Sequence, residues 1–87
     1  MRYRIEVTRA ARKDLAALPR NTLEEVDRCI SELATNPRPH GYKKLKGQRD
    51  LYRLRVGDYR IIYLIEDRKV LIVVVRVGNR RDVYKLL

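Results

Sequence analysis

The sequence predicts an α+β domain of order β-α-α-β-β-β, in which a mostly antiparallel sheet carries an N-terminal helical hairpin on one face. Two observations predict this class: helical apolar repeats between residues 8 and 35, and three β-type runs between residues 51 and 77. A chain of 87 residues can form one modest core, so we treat residues 1–87 as a single domain.

The first half of the chain predicts one strand followed by two helices. Residues 3–7 alternate apolar and polar side chains, as a half-buried strand does, and Thr8 is then suited to cap the first helix. After an interruption by Pro19, either Asn21 or Thr22 is expected to cap the second helix. One apolar stripe on this helix should face the sheet: Leu23, Val26, Ile30 and Leu33.

The second half predicts three strands after a polar, basic loop at residues 40–50 that can include a short helical or extended piece. The strands are predicted at residues 51–56, 59–66 and 69–77, with turns at Gly57-Asp58 and Asp67-Arg68. The last two runs are apolar on both faces, which favours an internal position in the sheet.

The chain is strongly basic, and the excess is concentrated in one segment. The 21 Lys and Arg residues against 11 Asp and Glu give a net charge of +10. Residues 41–60 contain 7 basic and 2 acidic residues, whereas residues 1–40 contain 8 and 6. A localised basic surface is typical of proteins that bind a polyanion, so we expect a nucleic-acid partner.

Several classes of protein are disfavoured by what the sequence contains. Cys29 is the single cysteine, so it is expected to be a packing residue and not part of a disulfide. With no signal-like segment and no apolar run near 18 residues, we expect a cytoplasmic protein with no membrane partner. His40 is the single histidine, in a proline-flanked loop where a polar surface residue is the usual interpretation. One His and one Cys cannot build a metal centre by the usual ligand spacings, so neither a metal nor another cofactor is expected.

Strand periodicity places candidate phosphate ligands on the first β-type run of the second half. Tyr52, Leu54 and Val56 share one face, which leaves Arg53 and Arg55 together on the other. Whether Arg60 on the next strand joins them depends on register, which the sequence does not fix. Arg80 follows the last strand, so a three-strand meander can bring it to the same site. The alternative is a solvated basic face, or a cluster that binds RNA without cutting it.

Two motifs resemble the RelE/ParE toxin superfamily: LYRLRVGDYRIIY at residues 51–63 and VGNRRDVY at residues 77–84. The helical hairpin before them, the Asn36-Pro37 stop and the Leu45-Lys46-Gly47 piece are similar too, so the resemblance covers nearly the whole chain. It implies a RelE-like (microbial RNase-like) fold and a type II toxin that cuts mRNA in the ribosomal A site. It also implies a RelB-like antitoxin partner and a toxin–antitoxin hetero-oligomer.

The resemblance also implies roles for individual residues. The family's cleavage proceeds by attack of a ribose 2′-hydroxyl on the adjacent phosphate, without metal. Its catalytic positions fall on Arg53, Arg55, Arg60, Arg80 and Tyr84. Arg60 and Arg80 would stabilise the pentacoordinate phosphate, Arg80 would help to protonate the leaving oxygen, and Tyr84 would stack on a base. Contacts to the ribosome and mRNA are expected from Lys43, Lys44, Lys46, Arg49 and Arg81.

The sequence departs from the family pattern at the general base. The best-known bacterial member has lysines at the positions of Arg53 and Arg55, and a guanidinium stays protonated at any ordinary pH. We therefore predict mainly electrostatic catalysis, with water or ribosomal RNA accepting the proton. Asn79 stands where many relatives have histidine, which disfavours a histidine acid there.

Two other functions stay open: a ParE-like inhibitor of DNA gyrase that is not a nuclease, and a non-catalytic RNA-binding module.

Overall fold

A five-stranded mixed sheet forms one layer of the protein, for which the computed structural model describes residues 2–47 and 50–87. The strands are β1 (Arg4–Val7), β2 (Lys43–Lys44), β3 (Leu51–Val56), β4 (Tyr59–Glu66) and β5 (Leu71–Asn79). Their spatial order is β1-β5-β4-β3-β2, with β1 parallel to β5 and all other neighbours antiparallel. The predicted α+β class is therefore confirmed, and the apolar strands β4 and β5 are internal as expected.

The predicted boundaries of β3 and β4 are correct, whereas the connection from β4 to β5 differs from the prediction. Asp67–Lys69 form a 3-10 turn in place of a two-residue turn, and Val70 then adopts a left-handed backbone conformation with φ 51°. Left-handed conformations are unfavourable for a β-branched residue, so no local preference in the sequence indicates one here. As a result β5 begins two residues later than predicted and continues through Asn79.

Helix α1 (Arg9–Ala16) begins as predicted, whereas α2 (Arg20–Leu33) begins earlier than predicted. The side-chain oxygen of Thr8 accepts the Ala11 N–H at 3.1 Å, which confirms the Thr8 cap. The predicted cap of α2 at Asn21 or Thr22 is wrong, because Pro19 is the N-cap residue. Its ring fixes φ at −57°, and its carbonyl accepts the first helical hydrogen bond from Leu23 at 2.8 Å.

Both helices contribute to the core on one face of the sheet. The predicted stripe of α2 is buried there at Val26, Ile30 and Leu33, and Cys29 packs against the same cluster as expected. The buried cluster comprises Ala11, Val26, Ile30, Leu33, Leu54, Val56, Ile61, Tyr63, Ile65, Ile72, Val74 and Val77. We call the opposite face of the sheet the open face. In the part of the chain that the structure describes, no helix is long and apolar enough to cross a membrane.

Helix α1 and its cap residue supply hydrogen-bond partners to the part of the β5 edge that extends beyond β1. The hydroxyl of Thr8 donates to the Val75 carbonyl at 2.8 Å, and the Val77 N–H donates to a carboxylate oxygen of Asp14 at 3.0 Å. The same carboxylate accepts two hydrogen bonds from the Arg76 guanidinium, at 2.9 and 3.0 Å, and the pKa of Arg76 is raised by them. An otherwise unpaired strand edge is thereby protected from pairing with another chain.

A polar cluster of Tyr3, Arg38 and Asp67 connects three segments that are distant in the sequence. Arg38 donates to both carboxylate oxygens of Asp67, at 3.3 and 2.8 Å, and the Tyr3 hydroxyl donates at 2.6 Å. The hydrogen bonds from Arg38, followed by that from Tyr3, hold the pKa of Asp67 below its ordinary value. The cluster joins the segment before β1, the loop after α2 and the turn before β5.

We expect the stabilising effect of this cluster to be lost in acid. A carboxyl whose pKa is lower in the folded protein stabilises the fold fully above its unfolded pKa of about 3.9, and this stabilisation disappears as pH falls through the folded value. Asp67→Asn should therefore lower the free energy of unfolding near neutrality, and this effect should shrink as pH falls below about 3.9. Urea unfolding across this pH range measures the difference. Asp27→Asn, on the outer face of α2, controls for loss of an exposed carboxylate; an Asp67→Asn effect independent of pH would contradict the assignment.

Candidate active site

The pairing of β3 with β4 brings three of the predicted site arginines to the open face. Leu54 and Val56 are buried in the core, so Arg53 and Arg55 lie on the opposite side of β3. Arg60 is the Cα partner of Arg55, and residues directly opposite one another share a face. The register that the sequence left undetermined therefore places Arg60 with Arg53 and Arg55.

Arg60 is buried without a carboxylate partner among the described residues. Only 6% of the residue is exposed, and one guanidinium nitrogen, Nη1, donates to the carbonyls of Gly57 at 3.0 Å and Tyr59 at 2.9 Å. These bonds hold the side chain against the β3–β4 turn. Both of these bonds are made by Nη1, and neither Nε nor Nη2 forms a hydrogen bond to another described residue.

The electrostatics of this pair favour a bound anion. Burial of a guanidinium away from water costs free energy unless it meets a negative charge, and like charges directly opposite on a sheet repel. Arg55 and Arg60 combine both costs, and neither Arg53 nor Arg55 forms an ion pair with a described carboxylate. By contrast, Arg76 and Arg38 are neutralised by Asp14 and Asp67. A phosphate on the open face would relieve both costs through charge-assisted hydrogen bonds.

The end of β5 carries Arg80 to the same corner of the sheet. The Arg80 N–H donates to the Asp58 carbonyl at 2.8 Å, which fixes its backbone beside the β3–β4 turn that also holds Arg60. Asn79 shapes the preceding bend: its side-chain oxygen accepts the Arg81 N–H at 3.1 Å, and its carbonyl accepts the Asp82 N–H at 3.0 Å. Arg80 and Arg81 are exposed. The role of Asn79 visible here is therefore to form the turn.

Tyr84 lies in a short C-terminal 3-10 helix, Val83–Leu86, that packs on β5. Val83 is fully buried, and a Cβ at Gly78 would lie 3.3 Å from the Val83 Cβ, so the two backbones approach closely because residue 78 is glycine. Gly78 is the Cα partner of Arg60. The C-terminal segment therefore lies next to the buried Arg60. Tyr84 in this segment has 40% of its surface exposed, enough for its ring to stack on a base.

The predicted ribosome-binding residues are not all on one surface. Lys43 is the Cα partner of Arg53 and lies beside the arginines, whereas Lys44 pairs with Tyr52, whose ring faces the core side. Lys46 is exposed in the turn after β2. Arg49 lies outside the described residues. Only Lys43 among the three lysines is therefore positioned to extend the arginine cluster directly.

The structure also brings His40 to the arginines, which sequence reasoning did not foresee. A pocket of about 350 Å³ is lined by His40, Gly41, Lys43, Arg53, Leu54 and Arg55. His40 is exposed, as expected for a loop residue, but its place beside the arginines depends on the pairing of the two-residue strand β2 with β3. A two-residue strand inside a basic loop leaves almost no periodic signal in a sequence. The described residues contain no group of three or more His, Cys, Asp or Glu side chains that could hold a metal ion.

Comparisons with known proteins find similarity along nearly the whole chain. The profile of a family described as the ParE toxin of the type II toxin–antitoxin system parDE matches residues 5–84. The chain is 33% identical to the putative toxin RelE1 of Methanocaldococcus jannaschii, with 98% of both chains covered. It is 32% identical to the mRNA interferase toxin RelE of Escherichia coli K12, over 92% of this chain and 85% of that one. The archaeal RelE–RelB complex from Pyrococcus horikoshii OT3 contains a similar chain, with TM-score 0.81, 30% identity and coverage of 92% and 97%.

Proposed function

Because this chain belongs to the RelE/ParE family of type II toxins, we propose that it is a ribosome-dependent endoribonuclease that cleaves mRNA in the ribosomal A site. The observation that carries the proposal is Arg60, a buried guanidinium directly opposite Arg55 and without a described carboxylate partner. An RNA phosphate supplies the missing negative charge. Two relatives described as mRNA interferases, from Escherichia coli and Shigella flexneri, support the same chemistry at 32% identity.

In the proposed reaction a ribose 2′-oxygen attacks the adjacent phosphorus while the bond from phosphorus to the 5′-oxygen breaks. The products are a 2′,3′-cyclic phosphate and a 5′-hydroxyl. Arg60 and Arg80 stabilise the negative charge that grows on the phosphate oxygens in the transition state. Preorganised donors are effective here because the β3–β4 turn already fixes the Arg60 side chain and the Arg80 backbone. No metal takes part in this scheme.

The remaining site residues position the RNA. Arg53 and Arg55 bind the backbone from β3, since a guanidinium fork can donate two hydrogen bonds to one phosphate. Tyr84 stacks on a base and holds the nucleotide splayed for in-line attack. Lys43, Lys44, Lys46, Arg49 and Arg81 add contacts to ribosomal RNA and mRNA through the counterion release that accompanies phosphate binding.

Mapping of mRNA 5′ ends tests this function directly. Brief expression of the chain in cells, followed by primer extension on abundant mRNAs, should reveal new 5′ ends inside codons. The same ends should appear when purified protein is added to translating ribosomes, with 2′,3′-cyclic phosphate on the upstream fragments. The absence of new ends in both experiments, with growth still inhibited, would contradict the nuclease.

A second candidate function is inhibition of DNA gyrase, which the ParE description of the matching family profile favours. It predicts DNA damage that requires gyrase, with mRNA left intact. The arginines of the open face favour the nuclease, because a gyrase inhibitor has no evident use for a phosphate site built around Arg60. The expression experiment separates the two when DNA breaks and mRNA ends are measured in the same culture.

We also propose that an acidic, RelB-like antitoxin neutralises the chain. Several similar solved structures are complexes of RelE with RelB, and a net charge of +10 favours a negatively charged, partly disordered partner. Co-expression with the reading frame adjacent to the toxin gene should restore growth and yield a stable hetero-oligomer. Affinity should fall as salt rises, because the attraction between exposed charges is screened. Salt-independent binding would point to an interface without this charge complementarity.

A further inference from the structure

We propose that His40 accepts the proton of the attacking 2′-hydroxyl, an inference that rests on the proposed nuclease function. The observation behind it is the pocket in which the single histidine of the chain lies with Lys43, Arg53 and Arg55. This assigns a catalytic role to a loop residue that sequence reasoning placed on ordinary surface. It also replaces water or ribosomal RNA as the expected proton acceptor.

The chemistry of the pocket leaves one candidate for this role. Its charged groups besides His40 are Lys43 on β2 and Arg53 and Arg55 on β3, and no described carboxylate lines it. Guanidinium groups stay protonated at any ordinary pH, and ammonium groups do so unless strongly perturbed. Imidazole is the side chain whose proton equilibrium lies nearest neutrality, and in its neutral form one ring nitrogen accepts a proton. A base acting from this pocket at pH 7 is therefore His40.

The position of the pocket connects this base to the phosphate site. Arg55 lines the pocket and is also the Cα partner of Arg60, so one residue is shared between the two. Directly opposite residues on a sheet have Cβ atoms about 5 Å apart. A phosphate held by Arg55 and Arg60 therefore adjoins the pocket through Arg55, and in the proposed reaction the attached ribose lies in the pocket. Its volume of about 350 Å³ is large enough for part of a nucleotide.

The proposed step is balanced in protons. The 2′-hydroxyl transfers its proton to a ring nitrogen of His40 as the bond between the 2′-oxygen and phosphorus forms. The bond to the 5′-oxygen breaks, and that oxygen takes a proton from water as it leaves. His40 then returns its proton to solvent. The negative charge of the phosphate held by Arg55 and Arg60 offsets the positive charge that appears on the imidazole.

Single-turnover cleavage of mRNA on programmed ribosomes, at saturating toxin between pH 5.5 and 8.5, tests the assignment. For the wild-type protein we expect the rate to rise with pH and then level off, as deprotonation of one base is completed. In His40→Gln we expect a rate at pH 7.5 lower by about 100-fold or more, with that inflection lost. Equilibrium binding of the variant to ribosomes should stay within about twofold of wild type, because glutamine keeps a polar side chain of similar size.

Two further variants complete the design. Arg20→Gln removes an exposed charge of α2, whose ion pair is with Glu24, and should leave rate and pH profile unchanged. Asp58→Asn removes a carboxylate in the β3–β4 turn. A His40→Gln rate within threefold of wild type, with the inflection retained, would overturn the inference while the nuclease function stands. If the inflection is lost in Asp58→Asn and kept in His40→Gln, the assignment of the base to His40 is overturned as well. If the wild-type protein cuts no mRNA, the proposed nuclease function itself is wrong.

Discussion

Arg80→Ala should lower the single-turnover rate of mRNA cleavage on ribosomes by about 100- to 1,000-fold. Removal of one preorganised donor to a developing oxyanion typically has an effect of this size. The Arg80 side chain is exposed and its backbone is already anchored to Asp58, so alanine removes the guanidinium without disturbing the turn. The expected loss is therefore in the chemical step, measured at saturating toxin.

The comparison variant is Arg68→Ala, which removes the same charge in the 3-10 turn after β4, at the end opposite Arg60. It should cleave at nearly the wild-type rate, and both variants should bind ribosomes with affinities within about threefold of wild type. Binding and cleavage that fall together in Arg80→Ala would instead favour a non-catalytic RNA-binding module. Equal effects of the two substitutions would mean that overall charge, and not this position, controls the activity.

The largest effect on stability is expected at Tyr63, where alanine should lower the free energy of unfolding by about 3–5 kcal/mol. Tyr63 is fully buried in the middle of β4, and its ring lies 6.1 Å from that of Tyr52. Its removal leaves a cavity between the sheet and the helices that the surrounding core fills only in part. Urea unfolding monitored by circular dichroism measures the change.

Tyr63→Phe separates the ring from the hydroxyl. The Tyr63 hydroxyl donates to the Pro37 carbonyl at 2.8 Å, and burial raises the pKa of Tyr63, so this donor keeps its proton. Phenylalanine preserves the packing and loses that bond, for an expected cost of about 1–2 kcal/mol. A Tyr63→Phe cost as large as that of Tyr63→Ala would show that the hydrogen bond, and not the ring, dominates at this site.

The sequence alone determined the layer structure of the protein and the orientation of the residues on β3. Alternation along residues 51–56 separates Leu54 and Val56 from Arg53 and Arg55, because a strand turns successive side chains to opposite faces. The apolar stripe of α2 likewise predicted which helix face is buried. Such patterns depend on local periodicity, to which every residue of a helix or strand contributes. By contrast, the cap at Pro19 and the left-handed Val70 follow no strong local preference, and the sequence predicted neither.

Only the tertiary structure decided which basic groups meet. The register of β3 with β4 sets Arg55 opposite Arg60, and the bend at Asn79 brings Arg80 beside the same turn. Pairing of β2 with β3 then brings His40 into one pocket with Arg53 and Arg55. These contacts join residues from 5 to 22 positions apart, and register is a property of two strands together, so the pattern within one strand does not encode it.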